Sequence, residues 1–186
     1  MKKKSTRSCL ESFRHPNWDY SLSAAYFVTI NTALMAHYFG RIDDGTMRLS
    51  PVGEIVGYLW KQIPAQFAFT KLGAYVIMPN HIHGIIQIET EQDSKLQEYL
   101  IPSLSKPTPG KGGGATGVHN PMLHQSLARV IRWFKGRTTY EIRKAGFTFV
   151  WHSRYYDKII LNAEMYDNVS DYIERNPLDW NGRLTR

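Results

Sequence analysis

The sequence predicts an α+β fold, a four-stranded antiparallel sheet with helices on one face and a further C-terminal helix. Short runs of β-branched and aromatic residues are typical of strands, and longer segments carry apolar residues at helical spacing. The principal elements follow the order strand, helix, strand, strand, helix, strand, helix. Without the last helix, and without a hairpin inserted after the first strand, this is the split β-α-β order of a ferredoxin-like sheet.

The first half of the chain contains most of the predicted sheet. A first strand spans residues 24–32, and Asp43-Asp44-Gly45 is the turn of the inserted hairpin. Ser50 is a favourable N-cap for a helix with proline at its first position and a broad apolar face. Strands at 72–78 and 82–88 follow, joined by a tight connection.

The second half begins with an interruption of the pattern. Residues 91–121 lack periodicity and are rich in glycine and proline, so we interpret them as a mobile insertion. A basic amphipathic helix starts near Leu127, and a last strand spans 156–161. Asn162 is a favourable N-cap for the final helix, which Pro177 ends.

Length and composition indicate a single soluble domain at residues 21–180, between a polar arm (1–20) and a short tail (181–186). The net charge of +7 favours a polyanionic partner, most often nucleic acid, although solubility alone also explains it. The single cysteine excludes an internal disulfide and fits a reducing cytoplasm. No segment approaches the ~20 apolar residues of a membrane span.

Two histidines at the start of the third principal strand form the strongest candidate site. His81 and His83 flank Ile82, so they project together from one face of the strand, while the isoleucine projects into the core. Paired imidazoles are a good half-site for a divalent metal. Gly84 has no side chain, so another group can approach closely there.

The final helix carries a tyrosine and an amide four residues apart. Tyr172 and Asn176 share one helix face. With the histidines, the Asn176 oxygen would hold a divalent cation, and Tyr172 would attack a phosphodiester polarised by that cation. The alternative is structural, because Tyr172 lies at the edge of a buried stripe formed by Met165, Val169 and Ile173.

Positive charge is concentrated on the helix that follows the insertion. It carries four basic side chains that could follow a phosphate backbone, namely Arg129, Arg132, Lys135 and Arg137. A solvated helix face explains them equally well. Arg154, just before the last strand, is interpreted as a further phosphate contact.

Five segments together resemble one protein family: Phe27-Val-Thr-Ile30, Met47-Arg-Leu-Ser-Pro-Val-Gly-Glu-Ile-Val56, Val76-Ile-Met-Pro-Asn-His-Ile-His-Gly84, Trp151-His-Ser-Arg-Tyr-Tyr-Asp157 and Asp171-Tyr-Ile-Glu-Arg-Asn-Pro-Leu-Asp-Trp180. They are similar to the single-tyrosine HUH transposases, above all to the REP-associated branch. The similarity runs from about residue 20 to 180 and leaves only the insertion unmatched.

The resemblance implies a ferredoxin-like enzyme that cleaves single-stranded DNA near a hairpin with Mg²⁺ or Mn²⁺, leaving a 5′-phosphotyrosine and a free 3′-OH. His81 and His83 match the family's metal ligands and Tyr172 its nucleophile. Asn176 matches a third ligand that is often glutamine in related enzymes. In this family the tyrosine helix acts within its own chain or across a homodimer, and the sequence leaves both arrangements open.

Three other classes compete with a transposase. A hairpin-DNA-binding protein that has lost its chemistry would not need all four site residues. A histidine-triad nucleotide hydrolase needs a third histidine where this chain has Ile85. A metal-dependent enzyme acting on small molecules would leave the basic helix unexplained.

Overall fold

The computed structural model describes residues 23–89 and 125–180. Over these ranges the chain has the predicted α+β fold. The predicted arm (1–20), insertion (91–121) and tail (181–186) lie outside the described residues.

The elements occur in the predicted order and close to the predicted bounds. The strands are β1 (Ala24–Asn31), β2 (Gly40–Asp43), β3 (Thr46–Leu49), β4 (Thr70–Met78), β5 (His81–Ile88) and β6 (Tyr156–Ile160). The helices are α1 (Pro51–Lys61), the short α2 (Ile63–Gln66), α3 (Leu127–Lys144) and α4 (Ala163–Arg175). The predicted N-caps are confirmed: Ser50 accepts a hydrogen bond from the Gly53 N–H (3.1 Å) and Asn162 accepts one from the Met165 N–H (2.8 Å).

The main sheet has the strand order β4-β5-β1-β6, and all neighbouring strands are antiparallel. This is the order expected of a ferredoxin-like sheet. Strands β2 and β3 form a separate ribbon, as the hairpin turn predicts. Strand β5 lies inside the sheet, paired with β4 on one side and β1 on the other.

Helices α1 and α3 pack on one face of the sheet, where the main core forms. Alternating residues of the strands meet the apolar stripes of both helices there. The strands contribute Tyr26, Val28, Ile30, Ile82 and Ile86 to this core, and the helices contribute Val56, Trp60, Val130 and Phe134. Gly84 belongs to this face. A Cβ added at Gly84 would overlap the ring of Trp60, so the predicted close approach is real and its partner is the α1 tryptophan.

Helix α4 lies on the opposite face of the sheet. Its Ile173 is buried against Ile85 and Ile160. Nearer its start, the Tyr166 hydroxyl accepts a hydrogen bond from Gln87 Nε2 (3.1 Å) and lies directly over Gly73, where a Cβ would overlap it. The helix that carries Tyr172 is therefore docked on the sheet of its own chain.

None of the helices within 23–89 and 125–180 combines the length and the hydropathy that crossing a membrane requires.

The contact at Gly84 predicts opposite effects for two glycine-to-alanine substitutions. Gly84→Ala should lower the free energy of unfolding by about 1–3 kcal/mol, because Trp60 is fully buried and must move. Gly136→Ala in α3 meets no atom within 4 Å, so it should raise that free energy by about 0.5–1 kcal/mol through helix propensity. Urea unfolding of both variants measures the difference. Equal destabilisation by the two substitutions would show that the Trp60 contact is not the cause.

Candidate active site

The two histidines of β5 project together from the face covered by α4, as predicted from their spacing. Both side chains are buried, and their ring centroids are 4.5 Å apart. Ile82 between them lies in the main core on the other face. The alternation of a strand places the imidazole pair beneath the tyrosine helix.

His81 is held in one tautomer by its neighbour Asn80. The Asn80 Nδ2 group donates to the Met35 carbonyl (3.3 Å), which turns the Asn80 Oδ1 towards His81 Nδ1 at 2.7 Å. Since an amide oxygen only accepts, His81 Nδ1 carries the hydrogen and donates. Its Nε2 therefore has a free lone pair, and this atom is buried with no hydrogen-bond partner among the described residues.

The carbonyl that orients Asn80 comes from an unusual turn after β1. Leu34 and Met35 both have left-handed backbone conformations, with φ of 53° and 56°. Such conformations cost about 1–3 kcal/mol each for residues other than glycine. The turn is tied to the connection between β4 and β5, since the Thr32 N–H and hydroxyl both donate to the Asn80 carbonyl (2.9 and 3.0 Å).

His83 connects the sheet to the tyrosine. Its Nδ1 is 2.9 Å from Thr29 Oγ1, and its Nε2 is 3.4 Å from the Tyr172 hydroxyl. Phe27 packs beside both rings, with centroids 5.2 Å from His83 and 6.0 Å from Tyr172. The side chains predicted as metal ligand and nucleophile thus meet within one chain.

Burial keeps both imidazoles neutral. It lowers the pKa of His83 from 6.5 to about 4. Burial and, second, the charge of His83 lower the pKa of His81 from 6.5 to about 2. Neutral imidazoles are the form that binds metals, so at pH 7 a cation would not have to displace a proton.

Tyr172 and Trp180 border the histidines. Tyr172 is 38% exposed at the edge of the stripe that buries Ile173, so part of this residue is open to solvent. Asn176, one turn later, is 8% exposed. Trp180 packs against His81 with a centroid distance of 5.8 Å, so the end of the described chain runs beside the histidines.

The donor set fits a divalent cation that keeps open positions. His81 offers an orphaned nitrogen in a buried setting, which is an observation in favour of a metal. Over 23–89 and 125–180, no third His, Cys, Asp or Glu completes a cluster with the pair. Further ligands would therefore be amide, water or substrate oxygens, a combination that leaves room for a phosphate.

The predicted DNA-binding arginines of α3 lie apart from the histidine face. Helix α3 covers the opposite face of the sheet, so its exposed Arg129 and Arg132 point away from the site. Arg129 lies over the Phe67 ring (5.7 Å), and Arg137 is paired with Glu141 (2.7 Å). The structure brings Tyr172, Asn176 and the histidines to one side and the α3 arginines to the other.

Lys135 is partly buried and connects α3 to the loop before β6. Its ammonium donates to the carbonyls of His152 (2.6 Å) and Ser153 (3.3 Å). Burial lowers the pKa of this ammonium. Arg154 is exposed in the same loop, which is joined to the end of β1 by the His152 N–H donating to the Asn31 carbonyl (2.9 Å). Lys135 thus shapes the loop that presents Arg154.

Sequence reasoning did not identify Thr29 or Asn80 as site residues. Asn80 lies in the tight connection between the two predicted strands, and its position directly before His81 was a usable signal. Thr29 has no such signal, because it reaches His83 only through the pairing of β1 with β5.

Comparison with known proteins shows a relative in sequence and similarity to a solved structure. No protein-family model matches the sequence. The chain is 32% identical over 172 residues to an uncharacterised protein of Haemophilus influenzae, covering 91% of this chain and 88% of that protein. The structure resembles that of a REP-associated tyrosine transposase bound to a REP hairpin, with a TM-score of 0.55, 15% identity and coverage of 91% of this chain and 73% of that chain. The fold implied by the sequence resemblance is confirmed.

The lowered histidine pKa values predict how stability depends on pH. Below pH 6.5 both histidines bind protons in the unfolded chain. In the folded chain they stay neutral until the pH approaches their lowered pKa values, about 4 for His83 and about 2 for His81. The free energy of unfolding should therefore fall as the pH falls from 6.5 towards 4, by up to about 1.4 kcal/mol per pH unit for each histidine. Urea unfolding in the presence of a chelator measures this slope.

The His81→Gln/His83→Gln double variant is the control for the carboxylates that also titrate in this range. Its slope should be clearly smaller than that of the wild type between pH 4 and 6.5. Identical slopes would contradict neutral, buried histidines.

Proposed function

Because the chain belongs to the same family as the Haemophilus influenzae protein and has the fold of the REP-associated tyrosine transposase, we propose that it is a metal-dependent transposase. It cleaves and rejoins single-stranded DNA through a covalent phosphotyrosine. The observation that carries this proposal is the convergence of Tyr172 with the histidine pair, where the Tyr172 hydroxyl is 3.4 Å from His83 Nε2.

The proposed reaction is an exchange of phosphoester bonds. The Tyr172 oxygen attacks phosphorus, the phenol gives up its proton, the P–O3′ bond breaks and the released 3′ oxygen takes up a proton. The DNA then carries a 5′-phosphotyrosine, and attack by a 3′-OH reverses the step and rejoins the strand. Bond energy is conserved in the phosphotyrosine, so no external cofactor has to supply it.

His81, His83 and Asn176 are proposed to hold Mg²⁺ or Mn²⁺. The chemistry supplied by such a cation at this site is polarisation of the phosphodiester. The chain itself contributes orientation: Asn80 and Thr29 fix the imidazoles, and the burial of Ile173 against the sheet fixes the helix of the tyrosine. These contacts all lie within one chain, which supports a reaction within a single protomer.

The substrate is proposed to be single-stranded DNA next to a hairpin. The likeness to a structure bound to a REP hairpin supports a hairpin partner. The charge of +7 and the exposed Arg129, Arg132 and Arg154 supply phosphate contacts.

Tyr172→Phe should abolish covalent adduct formation and leave DNA binding intact. The substitution removes one oxygen from a ring that is already 38% exposed, so packing is preserved. The measurement is denaturing electrophoresis of labelled hairpin DNA incubated with Mn²⁺, followed by peptide mapping of the adduct. Wild-type adduct should map to Tyr172 and disappear when a chelator is added.

Tyr166→Phe is the matched control, since it removes the other phenol hydroxyl of α4 and should still form the adduct. An adduct mapped to another tyrosine, or undiminished adduct with Tyr172→Phe, would overturn the assignment. Tight hairpin binding without any adduct in the wild type would instead identify a non-catalytic DNA-binding protein.

Arg132→Ala should weaken binding to single strands of all sequences alike. Loss of one phosphate contact should reduce the slope of log affinity against log salt by about 0.7. Fluorescence anisotropy at several salt concentrations measures the slope. Lys144→Ala at the end of the same helix removes an equal charge and controls for net charge. If both variants change the slope equally, Arg132 makes no specific phosphate contact.

A further inference from the structure

Asn31, the last residue of β1, lies beside the histidine pair. It is paired directly with His81 on β5, just as Thr29 is paired with His83. Residues directly opposite on antiparallel strands project from the same face, with Cβ atoms about 4.5–5.5 Å apart. The Asn31 side chain therefore shares the buried face of the imidazoles.

Asn31 and His81 each bury an acceptor that has no donor. Asn31 is 7% exposed, and its Oδ1 has no hydrogen-bond partner among the described residues. His81 Nε2 also has no partner. Its lone pair is free because the ring hydrogen is on Nδ1, which donates to Asn80 Oδ1. An unsatisfied buried polar group costs about 1–3 kcal/mol, so two neighbouring acceptors of this kind require an explanation.

We propose that Asn31 Oδ1 is a direct ligand of the divalent cation held by His81 and His83. One cation can accept the lone pairs of Asn31 Oδ1 and His81 Nε2 at the same time. Among the described residues, neither atom has a hydrogen-bond donor. The proposal rests on the metal site of the proposed function and adds a ligand from the sheet itself. It is independent of Asn176, which caps the C-terminal end of the tyrosine helix α4.

The position of Asn31 makes it a rigid ligand. Its backbone carbonyl accepts from the His152 N–H (2.9 Å), and the next residue, Thr32, is bound to the Asn80 carbonyl. Both histidines and Asn31 thus lie on paired strands, so the metal site would persist when α4 moves. An amide oxygen also shifts preference from Zn²⁺, which favours nitrogen and sulfur, towards Mg²⁺ and Mn²⁺.

Metal titrations of the full chain without DNA test the proposal. Asn31→Leu should weaken Mn²⁺ binding at least about tenfold and weaken Zn²⁺ binding less, because only the oxygen donor is lost. Asn31→Asp keeps an oxygen, adds a charge and should tighten Mn²⁺ binding. Isothermal titration calorimetry measures the affinities, and circular dichroism verifies that each variant is folded.

Gln87→Leu is the control, since it removes an amide from the same face of β5 at a point where Tyr166 is its partner. It should leave the Mn²⁺ affinity unchanged. Wild-type Mn²⁺ affinity in a folded Asn31→Leu variant, or equal losses for Mn²⁺ and Zn²⁺, would overturn the proposal. If Asn31→Leu does not fold, unchanged or weaker Mn²⁺ binding by Asn31→Asp would overturn it.

Because no DNA is present in these titrations, they are separate from the proposed reaction. If Mn²⁺ binding depends on Asn31 but the protein forms no DNA adduct, the assignment of Asn31 as a metal ligand is supported and the proposed transposase function is rejected.

Discussion

The alternation of side chains along β5 is the constraint on which the rest of this structure depends. The strand is paired on both sides and covered on both faces, so each residue is committed to one of two environments. Even-numbered positions, from Ile82 to Ile88, build the core under α1 and α3. His81 and His83 occupy the face under α4. A shift of the pairing by one residue would exchange the histidines with core isoleucines, so folding energy and site geometry select the same register.

The fold was largely predictable because its signals are local. The caps at Ser50 and Asn162, the hairpin turn before Thr46 and the isoleucine run of β5 each depend on a few neighbouring residues. The shared face of His81 and His83 follows from strand geometry in the same way. The stripe of α4 correctly placed Tyr172 at an edge, although the resemblance was needed to assign it a reaction.

What the sequence did not reveal depends on contacts between distant segments. Thr29 meets His83, and Asn31 lies opposite His81, only through the register of β1 against β5. The tautomer of His81 depends on the Met35 carbonyl, which orients Asn80. This carbonyl belongs to a left-handed turn formed by Leu34 and Met35, and neither residue type predicts such a turn. The charge of Lys135 suggested either a phosphate contact or a solvated helix face. Its hydrogen bonds to the loop carbonyls were not predictable, because tertiary structure sets the positions of those carbonyls.

The two sides of the sheet have a mechanical consequence for the proposed DNA substrate. The α3 arginines and Tyr172 face away from each other, so a polynucleotide that touches both has to turn around an edge of the sheet. Duplex DNA resists bending over lengths below its persistence length of about 50 nm, far more than the width of this domain. An unpaired strand has no such stiffness. The architecture would thus discriminate between paired and unpaired DNA through flexibility, without reading a single base.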